Sequence, residues 1–224
     1  MARWRRRGSP PRFSTIPREP GRMSDALRRE SPLVARIEAG LPVRVDAHGV
    51  RLRERAFLGH VNLRCDPADP GLTGAIERAL DCGLPRAPNS FRVAPAGHMT
   101  LWLGPDEWLI VTPEGGEGTL AQSLRQACGD GFATVIELGS GQTVIEISGS
   151  RAREVIAKGC PLDLHPRAFG PGRCAQSRLA RTLVTLAQVD DEPTFDLIVR
   201  RSFADYLWQW LLDACRYPVE PRFA

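Results

Sequence analysis

The chain has 224 residues, 42% of them hydrophobic and 25% charged, with 30 Lys and Arg against 26 Asp and Glu. That composition supports a folded core and excludes a collagen-like or wholly disordered chain. The formal charge of +4 is concentrated at one end. Residues 1–22 hold seven Arg and a single acid, so the remainder is slightly acidic and gives no electrostatic argument for nucleic acid.

In chain order, the first 22 residues contain four Pro, no hydrophobic period and no apolar stretch of signal-peptide length. Residues 1–30 are therefore expected to form a disordered basic extension. Two other readings are a basic arm for nucleic acid or an anionic surface and a true start at Met23. Removing residues 1–22 is expected to leave folding and assembly intact. No segment approaches the ~20 consecutive apolar residues of a membrane helix. Cys65, Cys82, Cys128, Cys160, Cys174 and Cys215 form no CxxC pair, which suggests buried thiols in a reducing cytoplasm.

After residue 40 the hydrophobic pattern predicts strands at Val43–Val45, Phe57–Leu63, Met99–Leu103, Trp108–Thr112, Ala133–Leu138, Gln142–Ile147, Thr182–Gln188 and Phe195–Val199. Helices are predicted at Leu72–Leu80, Thr119–Ala127, Ser150–Lys158 and Ser202–Cys215. The run DPADP before the first helix and Ser148-Gly-Ser150 before the third are N-terminal signals, and Gly104-Pro-Asp-Glu107 reads as a hairpin turn. The strand–helix order recurs: Val61 corresponds to Val144 and Ile110 to Ile198, a period of roughly 85 residues, too long for a solenoid. Chance recurrence of a common pattern is the alternative. The expected fold is α+β, two related α/β lobes with mixed or antiparallel sheets at residues 31–132 and 133–216, followed by a tail at 217–224.

Three constellations could carry chemistry. Gly116-Glu-Gly118-Thr-Leu-Ala121 fits the G-x-G-x-x-A fingerprint for dinucleotides, with Glu137 about 20 residues on. Against it, Glu114 and Glu117 would crowd a pyrophosphate, and the preceding strand belongs to a hairpin; the plain reading is a Gly-rich turn. Cys160, His165 and Cys174 combine thiols with an imidazole, but their spacing fits no common zinc finger, and the Pro and Gly around them suggest a fixed loop. Asp190-Asp191-Glu192 before Pro193 reads as a solvated turn, and His48, His60 and His98 stand alone. Lys158 is the single lysine, leaving little room for Schiff-base chemistry.

The last predicted helix, SFADYLWQWLLDAC, is apolar over far more than the ~100° stripe that one core requires. Only Asp205, Gln209 and Asp213 cluster on the wheel. Phe203, Leu207, Trp210, Leu211 and Ala214 form the natural core-facing set, which leaves Trp208 and Leu212 on a shoulder that either an interface or the neighbouring lobe must cover.

The strings SPL, FLGHVNLRCDPADP, LWLGPDEWLIV, KGCPLDLHPRAFGPGRCAQ and RRSFADYLWQWLLDAC resemble the gamma subunits of heterotetrameric sarcosine oxidases, from about Ser31 to Cys215. The resemblance implies a fold like the folate-binding aminomethyltransferases. It also implies a non-catalytic chain in a cytoplasmic complex with alpha, beta and delta subunits. That complex demethylates sarcosine to glycine, with hydrogen peroxide and a one-carbon unit passed to tetrahydrofolate or released as formaldehyde. FAD, FMN, NAD, zinc and tetrahydrofolate would then belong to other chains, with no catalytic, cofactor or metal residue here. Lys158-Gly159-Cys160 echoes a motif of folate-dependent iron–sulfur assembly proteins but lacks its aromatic and GQE continuation. The alternative is an independent folate-binding or folate-dependent aminomethyltransferase-like protein.

Overall fold

The computed structural model describes residues 29–217, so the expectations for the N-terminal extension and C-terminal tail lie almost wholly outside the described residues. In chain order the elements are α1 (Val34–Glu38), β1 (Arg44–Ala47), β2 (Val50–Arg55), β3 (Gly59–Cys65), α2 (Pro70–Leu80), β4 (Phe91–Val93), β5 (Met99–Gly104), β6 (Glu107–Thr112) and α3 (Glu117–Cys128). They continue with β7 (Ala133–Glu137), β8 (Gln142–Ser148), α4 (Ala152–Ala157), β9 (Cys174–Leu179), β10 (Thr182–Gln188), β11 (Phe195–Arg200) and α5 (Ala204–Arg216). No helix among the described residues is long and apolar enough to cross a membrane.

Local chemistry explains the element ends. Asp69 caps α2, its Oδ1 accepting from the backbone N–H groups of Gly71 and Leu72 at 2.9 and 3.0 Å, with Pro70 at the first helical position. Asp81, left-handed at φ 48°, closes the same helix. Lys158 reaches the other end of the chain and donates to the carbonyl oxygens of Ala214, at 2.6 Å, and Tyr217. The single lysine is thus a cation at the C-terminal end of α5, where the helix dipole favours positive charge.

All strand pairings are antiparallel. One sheet has the order β1-β2-β8-β11-β10-β9 and the other β4-β5-β6-β3-β7. Alternation along each strand sorts the core into three parts. Val61, Leu63, Trp108 and Ile110 pack under α2 and α3. Ile145, Ile147, Leu186, Phe195 and Leu197 pack under α4 and α5. Met99, Leu101, Leu109 and Val111 meet Val144, Ala187 and Ile198 between the two sheets. The layers therefore run helices, sheet, sheet, helices.

The internal repeat is visible in the pairing. The strand β3 precedes α2 and lies beside β6, which precedes α3; β8 precedes α4 and lies beside β11, which precedes α5. The first strand of each repeat is exchanged: β2 pairs with β8, and β7 pairs with β3. A division after residue 132 therefore separates β7 from the sheet it joins and leaves β1 and β2 in the sheet built mainly from residues 142–200. The exchange ties the halves together in one hydrogen-bonded framework.

Four elements have no counterpart in the predicted set, each for a physical reason. In β2 (VRLRER) Val50 and Leu52 are the only apolar residues, and Arg51 and Arg53 occupy the other face. The strand β4 has three residues and α1 has five, both too short to show a period. The strand β9 (CAQSRL) is polar on its solvent face and follows the Pro/Gly-rich loop.

Candidate functional site

The glycine fingerprint opens α3, as its sequence position implies, but its surroundings suit a carboxylate-filled helix end rather than a pyrophosphate. Gly116 is the N-cap, and a Cβ there would lie 3.2 Å from the Pro113 carbonyl. Glu117 occupies the first turn with its carboxylate folded over Gly59. Glu137, the would-be ribose ligand, sits beside Gly118 and accepts from Arg125 at 2.9 Å. These acids occupy the positive end of the helix, where a phosphate would have to bind.

Cys160, His165 and Cys174 do not converge. The Cys160 thiol points into the α5 core and approaches Ser177 Oγ at 3.7 Å. Cys174 lies between the sheets, 3.2 Å from the Ser90 carbonyl. His165 is exposed, its Nδ1 accepting from the Arg167 backbone N–H at 3.2 Å. No group of three or more His, Cys, Asp and Glu that could hold a metal ion occurs among the described residues. The loop is held instead by Arg153, which donates to the carbonyls of Leu164 and Phe169 at 2.6 and 2.9 Å and to Gln188 Oε1 at 2.8 Å. Its guanidinium also stacks over Phe195 at 5.1 Å. Burial pushes the Cys174 thiol up to about 12 and the Cys65 thiol up to about 11, so neither forms a thiolate near neutrality. In native labelling with iodoacetamide, read by peptide mass spectrometry, Cys65 and Cys174 stay unmodified until urea unfolds the chain. Native modification of either would refute this assignment.

Gly159 of the KGC string has a packing role. A Cβ there would stand 2.6 and 2.8 Å from the ring atoms Cζ2 and Cη2 of Trp210 and 3.0 Å from the Ala180 nitrogen. The indole lies directly on the glycine. Gly159→Ala is expected to cost about 1–3 kcal/mol by overpacking. Gly141→Ala, which meets open space, is expected to stay within about 0.5 kcal/mol. Equal urea midpoints for the two variants would contradict this.

The most charged concavity, about 510 Å³, lies over the uncovered end of the six-stranded sheet. Arg53 forms a two-pronged ion pair with Glu146, at 2.7 and 2.6 Å, while Arg55 reaches Asp196 at 2.6 Å. Asp196 is almost wholly buried, and its Oδ1 has no hydrogen-bond partner. A close Arg ordinarily lowers a carboxyl, but burial outweighs the partly solvated Arg55, and Glu146 adds like charge, raising Asp196 to about 6. His60 lies on β3 opposite Val111, wholly buried, with neither ring nitrogen in a well-formed hydrogen bond. Burial, opposed by the nearby Glu117 charge and more weakly by the Leu58 backbone, lowers it to about 4 and keeps it neutral. Nothing in the sequence around either residue distinguishes it. The signal lies in strand alternation, which turns both inward from their sheets.

Of the two shoulder residues proposed as an interface, Trp208 is covered from within the chain. Trp208 is 0% exposed, packs in the core beneath α5 and donates from Nε1 to the Pro42 carbonyl at 3.0 Å. Leu212 is half-buried against the same core. The buried stripe is Ala204, Leu207, Trp208, Leu211, Ala214 and Cys215, while Phe203 is 44% exposed and Trp210 covers Gly159. The segment before β1 closes over the shoulder that the wheel leaves open, because a wheel carries no information about distant chain.

A family model described as the sarcosine oxidase, gamma subunit family matches residues 64–217. Among curated relatives, sarcosine oxidase subunit gamma of Corynebacterium sp. (strain P-1) is 39% identical over 165 residues, covering 74% of this chain and 79% of its own. The subunit of the same name from Arthrobacter sp is 38% identical over 178 residues, covering 80% and 86%. Among solved structures, the heterotetrameric sarcosine oxidase from Corynebacterium sp. U-96 in complex with pyrrole 2-carboxylate contains a chain matching with a TM-score of 0.76 at 33% identity. The match covers 88% of this chain and 99% of that one. The glycine cleavage system aminomethyltransferase T from Bartonella henselae matches with a TM-score of 0.60 at 13% identity, covering 81% and 56%, a likeness of fold alone.

Proposed function

Because this chain belongs to the sarcosine oxidase gamma-subunit family, we propose that it acts as a non-catalytic subunit of a heterotetrameric sarcosine oxidase. Its partners are then the alpha, beta and delta chains. The assembly demethylates sarcosine to glycine, yields hydrogen peroxide, and passes a one-carbon unit to tetrahydrofolate or releases it as formaldehyde. On this reading FAD, FMN, NAD, zinc and tetrahydrofolate belong to those other chains. The carrying observation is the match to a chain of a solved heterotetramer across 99% of that chain's length. The dispersal of Cys160, His165 and Cys174, and the carboxylates filling the N-terminus of α3, support a chain without a catalytic centre of its own.

Co-expression with the three partner chains, affinity purification and a peroxide-coupled assay with sarcosine test the reading. The expected result is a four-chain complex that oxidises sarcosine, and a free gamma chain that is colourless and inactive. A flavin spectrum that stays with the free chain through gel filtration would overturn the non-catalytic assignment.

A further inference from the structure

The two sheets cover each other only across the middle of the six-stranded one, where Val144, Ile198 and Ala187 meet the other sheet. Toward the strand ends, the same face is left uncovered by the described residues. Strand pairing places Gln142 opposite Arg200 and Leu183 opposite Arg178. The β10–β11 register, continued one residue past Val184 and Val199, sets Leu183 beside Arg200. A transverse row Gln142–Arg200–Leu183–Arg178 therefore crosses four strands.

Three features of this row bear on what could cover it. Leu183 is 72% exposed near the start of β10, an interior strand of the sheet, flanked on both sides by arginines. Neither Arg178 nor Arg200 has an ion pair or side-chain hydrogen bond among the described residues, a state they share with several exposed arginines such as Arg44 and Arg92; what distinguishes this pair is the exposed leucine held between them. Gln142 Oε1 is shielded from solvent and still lacks a donor. A shallow depression of about 370 Å³ joins the four side chains, and Gln176 at its wall is fixed by donation to the Leu103 carbonyl at 2.9 Å.

We propose that the row Gln142–Arg200–Leu183–Arg178 is a docking surface for another chain of the oxidase, one that presents an apolar side chain between carboxylates. The inference rests on the assembly reading above. The charge pattern selects the occupant: two unmatched cations call for acids, and the leucine between them calls for apolar cover. A second copy of this chain would bring the same two arginines against themselves and meet like charge, unless the copies were offset.

The test uses the co-expressed complex with wild-type gamma, Arg178→Glu/Arg200→Glu, Leu183→Ser, and the milder Arg178→Gln/Arg200→Gln. All three substituted positions lie on the sheet surface, so melting curves of the free chains are expected to coincide. Retention of gamma through purification should fall by at least about tenfold for the Glu pair and less for the Gln pair. Wild-type retention should also weaken with rising salt. Equal retention of wild type and all variants would overturn the surface while leaving the assembly reading intact. If wild-type gamma is not retained at all, the assembly reading itself fails. A free wild-type dimer that becomes monomeric in the variants would overturn the choice of partner in favour of a second copy. Should the Glu pair misfold, the Gln pair decides.

Discussion

Trp208→Ala removes the cooperative unfolding of the free chain or lowers its stability by about 3–5 kcal/mol, among the largest losses a single truncation produces. The indole is wholly enclosed beneath α5, so its removal leaves a cavity of aromatic size rather than a patch of solvent. It also leaves the Pro42 carbonyl without its donor, adding about 1 kcal/mol. Trp208→Phe keeps most of the apolar contact and loses the hydrogen bond, and is expected to cost about 1–2 kcal/mol. Urea unfolding of the isolated chain followed by tryptophan fluorescence and circular dichroism separates the two. If Trp208→Ala unfolds at the wild-type midpoint yet is lost from the complex, Trp208 is an interface residue and its placement in the core is wrong.

That residue also marks the boundary of what the sequence makes legible. Strands whose apolar residues alternate over five or more positions, such as Thr182–Gln188, are readable without coordinates because one face must be buried. The repeat is readable for the same reason, since β3 and β8 carry equivalent patterns ahead of equivalent helices. The exchange of β2 and β7 is not, because pairing between distant strands leaves no local trace. For α5 the polar side of the wheel is the guide: Asp205, Gln209 and Asp213 cluster, and the buried stripe Ala204, Leu207, Trp208, Leu211, Ala214 and Cys215 lies opposite them. What the wheel does not carry is the cover itself, Pro42 for Trp208 and Gly159 for Trp210. At the candidate docking row, Leu183 and its flanking arginines look like ordinary alternation until the second sheet is seen to stop short of them.

Between pH 4 and 6.5 the wild-type chain is expected to show a nearly flat stability profile, because two buried groups titrate in opposite senses. His60 has an ordinary value of 6.5 and a folded value of about 4, so within that window the unfolded chain takes up a proton that the folded chain refuses. Its contribution is present above pH 6.5 and is lost as the pH falls toward 4. Asp196 rises from 3.8 to about 6, so the folded chain holds a proton that the unfolded chain releases. Its contribution is full below 3.8 and is lost as the pH rises through 6. Each group contributes roughly 1–3 kcal/mol once partial solvation of Arg55 is allowed for. His60→Leu removes the acid-sensitive group together with two buried nitrogens that lack well-formed hydrogen bonds, so it is neutral or stabilising at about pH 7. Its stability then climbs as the pH falls, exposing the Asp196 contribution. Asp196→Asn leaves Arg55 without a carboxylate at every pH, and its own stability declines on acidification as His60 acts alone. Urea midpoints for the three proteins at half-unit steps from about pH 4.5 to 7.5 read the slopes directly, and the sign of each slope is independent of the constant offset. Parallel profiles for wild type and both variants would mean that neither group is shifted by burial. A wild-type profile falling steeply below about pH 6, with His60→Leu flat, would mean that Arg55 holds Asp196 ionised in the folded chain.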